Sequence, residues 1–427
     1  MKTARNLKIS ERILTVSKIK LTQLEKNWIK YDVGNSAYIL LATTIIPILF
    51  KSIGENSLSS ADYLASWGYA MTISTLVIAV LSPILGAISD GRGKRKPMFQ
   101  IFLFLGIAGL VVQPLTTNWV VFLIIFIITK IGFNGSLVFY DSMLPDVTTN
   151  ERMDEVSSLG YAWGYIGSCV PFIISIILAT KGGDLFGLSL STSMIIICAL
   201  NAAWWLLFSV PLMKTYEQKY YIENQNTTPK VVFKRLLKTI KEIWENKKIK
   251  YFLLSFFFYI DGVYTIIGMA TAYGESLGLD SAGLVLALLA TQIVAFPCAI
   301  YFGRISKKYK TETLLKITIV AYGLITLYAT FLNNLTQFWI LAILVGMFQG
   351  AIQALSRSYF AKIIPPEKSG EYFGVFDIFG KGASMFGTLL IAVVTDITGK
   401  QNYGIMALVI LFIIGYVVFD KTVKVEA

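Results

Sequence analysis

Inside the long apolar runs of this 427-residue chain stand a few charged side chains, and each needs a reason to be there. A charge near the centre of a bilayer costs about 2.5–3.5 kcal/mol on insertion scales. Asp261 lies mid-way along one such run, beside Tyr259, Tyr264 and Thr265, and Lys381 is placed similarly in another, one turn after Asp377. A carboxylate and an ammonium on different helices can hold the amine and the acid of a zwitterion. The competing reading is structural: an ion pair between helices or, for Lys381, a local pair with Asp377 at i, i+4. Asp32, Asn35 and Ser36 share one helical face near the start of the first run, where Asp32 can equally cap a helix at the membrane surface. Arg357 stands toward the end of its run and suits a gate better than a ligand. Lys130 is long enough to snorkel.

The runs themselves define the class. Hydrophobic residues make up 55% of the chain, charged residues 15%, and the mean hydropathy is +0.64. An ordinary soluble domain carries about 25% charged residues. There is no histidine, the usual metal ligand and proton shuttle, and the three cysteines (Cys169, Cys198, Cys298) all fall inside apolar runs. A soluble enzyme, a disulfide scaffold and a zinc protein are excluded, and no cofactor or metal is expected. Any proton coupling must run through carboxylates, with Asp261 first and Asp32 next; sodium coupling is the alternative.

An apolar helix needs about 20 residues to cross a hydrocarbon core of ~30 Å. Twelve runs qualify, over 31–51, 64–88, 99–115, 119–139, 158–180, 190–213, 251–272, 282–303, 314–332, 338–359, 372–396 and 402–420. The fifth opens on a Gly- and Ser-rich stretch that reads as a turn. The runs do not alternate apolar and polar residues as barrel strands would. Of the 38 Lys and Arg residues, 31 lie before the first run, after the even-numbered runs or in the tail. By the positive-inside rule both termini are cytoplasmic. The net charge of +12 is therefore mostly a topology signal, with some attraction to anionic lipid, and no nucleic-acid partner is expected.

The expected organisation is a basic cytoplasmic segment (1–30), a six-helix bundle (31–213), a linker (214–250), a second six-helix bundle (251–420) and a tail (421–427). In the linker, Phe233, Leu236, Leu237, Ile240, Ile243 and Trp244 recur at helical spacing among Lys234, Arg235, Lys238 and Lys241. That pattern predicts an amphipathic helix on the membrane surface. The first twenty residues form no cleavable leader and read as a lysine-rich interfacial segment. LSPILGAISDGRGKRKP (81–97) and AFPCAIYFGRISKKYK (295–310) align at an offset near half the chain, with Pro83 over Pro297 and Lys94 over Lys308. Repeated halves around a central cavity are a transporter architecture. Two other motifs carry nothing: GKGAS (380–384) lacks the glycine spacing of a phosphate loop, and the Asn226 glycosylation sequon falls on the cytoplasmic side.

Between the second and third runs stands GAISDGRGKRK (86–96). Gly86 lets a neighbouring helix approach closely. Asp90 can accept bonds from a facing helix N-terminus and favour its dipole. Gly93 permits a tight turn, and Arg92, Lys94 and Arg95 anchor the cytoplasmic side. The segment resembles the loop signature of the major facilitator superfamily, G-x-x-x-D-x-x-G-R/K-K/R, with Gly91 where an arginine often stands and Arg304 replacing the acid in the second half. The alternative is an ordinary positive-inside loop. Further segments narrow the resemblance: YDVGNSA in the first run, and QALSRS followed by FGVFDIFGK around the tenth and eleventh. Together they look like the unknown major facilitator family, relatives of the autophagy-linked vacuolar amino-acid effluxer, over roughly Trp28 to Gly399. Membership implies twelve helices, alternating access and small-solute transport.

The resulting expectation is an all-α membrane protein of two pseudo-symmetric bundles, a monomer in a bacterial cell (inner) membrane rather than an organelle. Its function would be secondary-active transport of a small polar solute, leaning to export of an amino acid or related zwitterion. The alternatives are a multidrug or hydrophobic-compound exporter and, in different classes, a non-transporting receptor or an intramembrane enzyme. Candidate solute or coupling residues are Asp261, Lys381, Asp32, Asn35, Tyr264 and Asp377; candidate gating residues are Gly86, Asp90, Arg92, Gly93, Lys94, Arg95 and Arg357. The connection 140–157 breaks the charge rule, holding Asp141, Asp146, Glu151, Asp154 and Glu155 against Arg152 alone. These acids are expected to pair with the 92–96 cluster or the 304–310 segment when the cytoplasmic side closes.

Overall fold

A computed structural model describes residues 20–55, 57–223 and 228–425. The interfacial segment expected over the first twenty residues and the sequon at Asn226 lie outside the described residues, Lys20 excepted. Among the described residues twelve helices long and apolar enough to cross a membrane follow one another: α1 Gln23–Gly54, α2 Asp62–Ser89, α3 Arg95–Leu115, α4 Trp119–Ser142, α5 Met153–Phe186, α6 Leu190–Thr215, α7 Lys247–Ser276, α8 Ala282–Ile305, α9 Thr311–Ala329, α10 Leu335–Ile363, α11 Pro366–Thr398 and α12 Gln401–Lys424. There is no sheet among the described residues. A separate amphipathic linker helix, Pro229–Glu245, joins the halves.

Burial is inverted relative to a soluble protein. Ile397 is 79% exposed and Leu64 67%, whereas Asp90, Arg95 and Asp261 are fully buried. Only an apolar solvent rewards that arrangement, because polar groups unpaired in hydrocarbon cost several kcal/mol each, by estimates of roughly 2–7.

Helix ends are set by caps rather than by apolar limits, which displaces several expected boundaries. Thr22 Oγ1 accepts from Glu25 N at 3.2 Å while Thr22 N donates to the Glu25 carboxylate at 2.7 Å. This reciprocal capping box starts α1 well before residue 31. Asp32 therefore lies in the third turn and is not an N-cap. Asn246 likewise caps α7, accepting from Lys248 N and Ile249 N at 3.1 and 3.2 Å, and α12 runs on to Lys424. The Gly- and Ser-rich stretch near 158 is not a turn: α5 is continuous from Met153. Its small residues instead let other helices in. Ser157 Oγ donates to Ala354 O of α10 at 2.8 Å, and a Cβ on Gly164 would press on Ser36 Oγ of α1 at 2.7 Å.

Helices α1–α6 pack among themselves, as do α7–α12, and the halves meet along α2/α11, α5/α8, α5/α10 and α4/α11. The α2–α3, α4–α5, α6–α7, α8–α9 and α10–α11 connections share one end of the molecule with the start of α1. This is the basic end. The hydrogen bonds and ion pairs that join the halves cluster toward it.

Candidate functional site

The outermost layer of the inter-half seam is built from the 86–96 loop. Gly86 faces Gly370 so closely that a Cβ would fall far inside contact distance of the Gly370 carbonyl oxygen. That approach brings the start of the α-helical part of α11, which begins at Ser369 after a 3-10 turn, onto Asp90, which accepts from Gly370 N at 2.8 Å and Glu371 N at 2.9 Å. Arg95 completes the set, donating to Asp90 and to Asp146 at 2.7 Å each and to Ser142 O at 3.2 Å. Asp146 in turn accepts from Tyr216 Oη at 2.5 Å and from Lys219 N and Tyr220 N at 3.1 and 2.9 Å. Burial, the largest influence, pushes the Asp90 carboxyl above its usual range against the pull of Arg95 and the two amides. Docking this acid is therefore costly unless Arg95 and the helix N-terminus come with it. Gly93 takes φ +68° in the turn, a conformation open to glycine. Arg92 is not in the seam: it is exposed, 3.4 Å from Glu223 and over the Tyr221 ring at 5.4 Å. Lys94 makes no ion pair among the described residues.

The second half lacks the loop acid, having Arg304, and the charges are exchanged across the seam. Here α5 supplies the acids. Asp154 accepts from Thr311 Oγ1, Ser358 Oγ and Lys362 Nζ, all at 2.6 Å. Glu155 pairs with Lys307 at 3.1 Å. The acidic 140–157 connection thus meets both basic segments, through Asp146 with Arg95 and Glu155 with Lys307.

Deeper in, Arg357 of α10 enters the other half. It is 3% exposed and pairs with Asp141 of α4 at 3.0 Å and Asp32 of α1 at 3.3 Å. Its Nε donates to Ser157 Oγ at 3.0 Å and its Nη2 to Ser157 O at 3.1 Å. The guanidinium lies over Tyr161 at 4.4 Å, Trp28 at 4.6 Å and Tyr140 at 5.5 Å, a stacked and forked environment that a lysine could not reproduce. Asn35 Nδ2 donates to Asp32 Oδ1 at 3.2 Å and orients it. Tyr165 Oη adds a further cross-seam bond to Gln353 at 2.6 Å. One guanidinium faces two carboxylates, so the cluster carries a surplus negative charge when all three are ionised.

At mid-depth α2, α4 and α11 meet. Asp377 accepts from Lys381 Nζ at 2.6 Å and from Ser82 Oγ of α2 at 2.8 Å. Lys381 is close enough to act electrostatically on Lys130 of α4. Lys130 does not snorkel to the basic end: it lies half-way along α4, and its Nζ donates to Met71 Sδ at 2.9 Å. Thioether sulfur is a weak acceptor, and Lys130 has no carboxylate partner among the described residues. Tyr264 of α7 is half-buried within range of Asp141, Asp377 and Arg357. Two ammonium groups and one carboxylate here leave a surplus positive charge.

Asp261 and Lys381 are not brought together as a clamp. Asp261 turns into the second half, where Oδ1 accepts from Gly387 N of α11 at 2.9 Å and Thr265 Oγ1 at 3.4 Å, and Oδ2 is buried without a partner among the described residues. Asp141 and Lys130 stand at the seam instead, Asp141 against Arg357 and Lys130 against Met71. The signal for Asp141 was the acidic run in a connection otherwise expected to be basic. Nothing in the sequence tells which half Asp261 faces. Among the described residues there is no cluster suited to a metal ion, and the three cysteines are free.

This architecture is that of a major facilitator transporter. Solved structures agree: the fucose:proton symporter FucP of E. coli aligns with a TM-score of 0.70 at 15% identity, covering 94% of this chain and 97% of that one. A bacterial homologue of the iron transporter ferroportin, in its outward-facing state, aligns with a TM-score of 0.71 at 12% identity, covering 94% and 99%. The family model for vacuole effluxer Atg22-like proteins matches residues 60–427, and the chain belongs to that family. It is 42% identical to the MFS-type transporter YxiO of Bacillus subtilis over 407 residues, 93% of this chain and 94% of the relative. It is 23% identical to autophagy-related protein 22 of Eremothecium gossypii over 426 residues, 90% and 82% of the two chains. The chain is a multi-pass membrane transporter.

Proposed function

We propose that this transporter moves a small solute bearing a carboxylate, with amino acids the leading class and export the working direction. The observation that carries the reading is Lys130, an ammonium inside the membrane whose contacts among the described residues are the Met71 thioether and the face of the Phe126 ring, with no carboxylate, beside the Lys381–Asp377 pair. A solute carboxylate between Lys130 and Lys381 would balance the surplus charge, and Asp377 would take an α-ammonium. A cavity selecting hydrophobic compounds would have no use for an unpaired charge that costs about 2.5–3.5 kcal/mol to insert. Positive-inside orientation puts the basic end in the cytoplasm, so the described state is closed on that side. Release of the Asp90, Asp154 and Arg357 contacts would open it.

Coupling to protons fits the Arg357 cluster. When α10 withdraws its guanidinium, Asp32 and Asp141 are left facing one another, and two like charges in a buried site retain a proton between them. The test is counterflow in proteoliposomes with labelled amino acids, the same compounds as amides, and hydrophobic cations. Exchange of the acids but not the amides, lost in Lys130→Ala, is the expected result. Exchange of hydrophobic cations that survives Lys130→Ala would overturn the proposal.

A further inference from the structure

Outside the central site, one groove combines an apolar floor with an unpaired cation at its rim. It encloses about 370 Å³ between α2, α7, α11 and the linker helix, with Val80, Pro83, Ile240, Trp244, Leu254 and Phe379 among its walls and Lys250 as the charged group. Lys250 has no carboxylate partner among the described residues; its Nζ lies over its neighbour Tyr251 at 5.2 Å.

The polarity of the groove is ordered along the membrane normal. Lys250 stands in the first turn of α7, at the basic end, and Leu253 and Leu254 follow one turn deeper. On α11 the lining runs inward from Val375 to Phe379, and on α2 from Pro83 back to Ala79. A charge at the surface and hydrocarbon beneath match a phospholipid: an anionic headgroup at Lys250 and one acyl chain along the helices. The roof has the same character. On the linker helix Val232, Leu236, Thr239 and Ile243 are buried against the protein, while Phe233, Leu237, Ile240 and Trp244 form an exposed apolar stripe about a quarter-turn away. Lys230, Lys234 and Lys241 lie roughly a further quarter-turn round, at headgroup level when that stripe enters the bilayer.

We infer that the groove is a binding site for one anionic phospholipid of the leaflet at the basic end. The site is shared between the halves. Its walls come from α2 of the first half and from α7 and α11 of the second. Arg235 of the roof donates to Ala87 O of α2 and lies 3.5 Å from Glu371 of α11, while Lys368 pairs with Glu242 at 2.7 Å. The groove is complete only while the basic end is closed, so a lipid seated there selects that state.

The test uses the full chain in nanodiscs of phosphatidylethanolamine with one quarter phosphatidylglycerol. Lipid retained after detergent extraction is counted by native mass spectrometry. The wild type is expected to keep at least one phosphatidylglycerol per chain. Lys250→Gln is expected to lose the preference over phosphatidylethanolamine by about fivefold, the worth of one lysine near a charged surface. Val80→Trp, which fills the groove from a lipid-exposed position, is expected to lose retention of both lipids. Spin-label distances across the basic end should shorten in phosphatidylglycerol discs for the wild type and not for Val80→Trp. Equal retention of the two lipids by the wild type, or unchanged phosphatidylglycerol in both variants, would overturn the inference.

Discussion

Removing Arg357 should unlock the basic end. In Arg357→Gln the two carboxylates of Asp32 and Asp141, held 3.3 and 3.0 Å from the guanidinium, lose their common cation in a site closed off by Trp28, Tyr140 and Tyr161. Breaking a buried pair by deleting one partner costs about 3–5 kcal/mol. The contacts cross the seam, from α10 to α1, α4 and α5, so the cost falls on the closed state and spares an open one in which they are already broken. At 1.4 kcal/mol per tenfold, the closed-to-open ratio should drop between about a hundredfold and a few thousandfold. Spin labels at Asn150 and Lys308, exposed on facing loops of the two halves, report it by pulsed dipolar spectroscopy in a background free of the native cysteines. The distance distribution should move from one short population to a dominant longer one. Adding Asp32→Asn and Asp141→Asn should restore most of the short population, because neutral amides need no counter-ion. An unchanged distribution in Arg357→Gln would refute the reasoning; a shift that the two added substitutions do not repair would place the effect in packing rather than charge.

Three further outcomes follow from the same geometry. Gly86→Ala should abolish transport and populate the state open at the basic end, since its methyl would overlap the Gly370 carbonyl; cysteine accessibility along α11 measures it. Asp154→Asn, which weakens the contacts to Lys362, Thr311 and Ser358 together, should shift the same equilibrium in the same direction but by less than Arg357→Gln, because the Lys362 pair is partly exposed; the Asn150–Lys308 distance again reads it. Asp261→Asn should leave solute-induced thermal stabilisation intact, while Asp261→Ala should lower the melting temperature by the loss of a buried hydrogen bond, about 1–3 kcal/mol. Loss of the solute response in Asp261→Asn, with folding unchanged, would return Asp261 to the solute site.

How much of this was legible beforehand depends on the range of the interaction concerned. Twelve crossings, the amphipathic linker helix and the resemblance carried by the 86–96 loop rest on runs of neighbouring residues, and local hydropathy and turn chemistry suffice to read them. Helix ends were less legible: the Thr22–Glu25 capping box and the Asn246 cap are short polar signals next to apolar runs, and a search for apolar length passes over them. Partners were the least legible. Lys381 carries Asp377 one turn away on its own helix, a pairing that spacing does suggest. Which of Asp32, Asp141 and Asp261 shares a site with Arg357 depends on the rotation of four helices about their axes.

The sequence by itself therefore determined an all-α membrane protein of twelve crossings, because immersion of an apolar helix is a property of each segment taken alone, while the transporter reading rested on the resemblance carried by the 86–96 loop and the segments around the first, tenth and eleventh crossings. Only the tertiary structure decided that Asp261 turns away from the seam, that Arg357 gathers two acids from the other half, and that Lys130 is left without one. A buried charge is satisfied by whatever approaches within about 3–4 Å, and that distance is set by helix–helix packing through small residues such as Gly86, Gly160 and Gly370, which no single segment encodes.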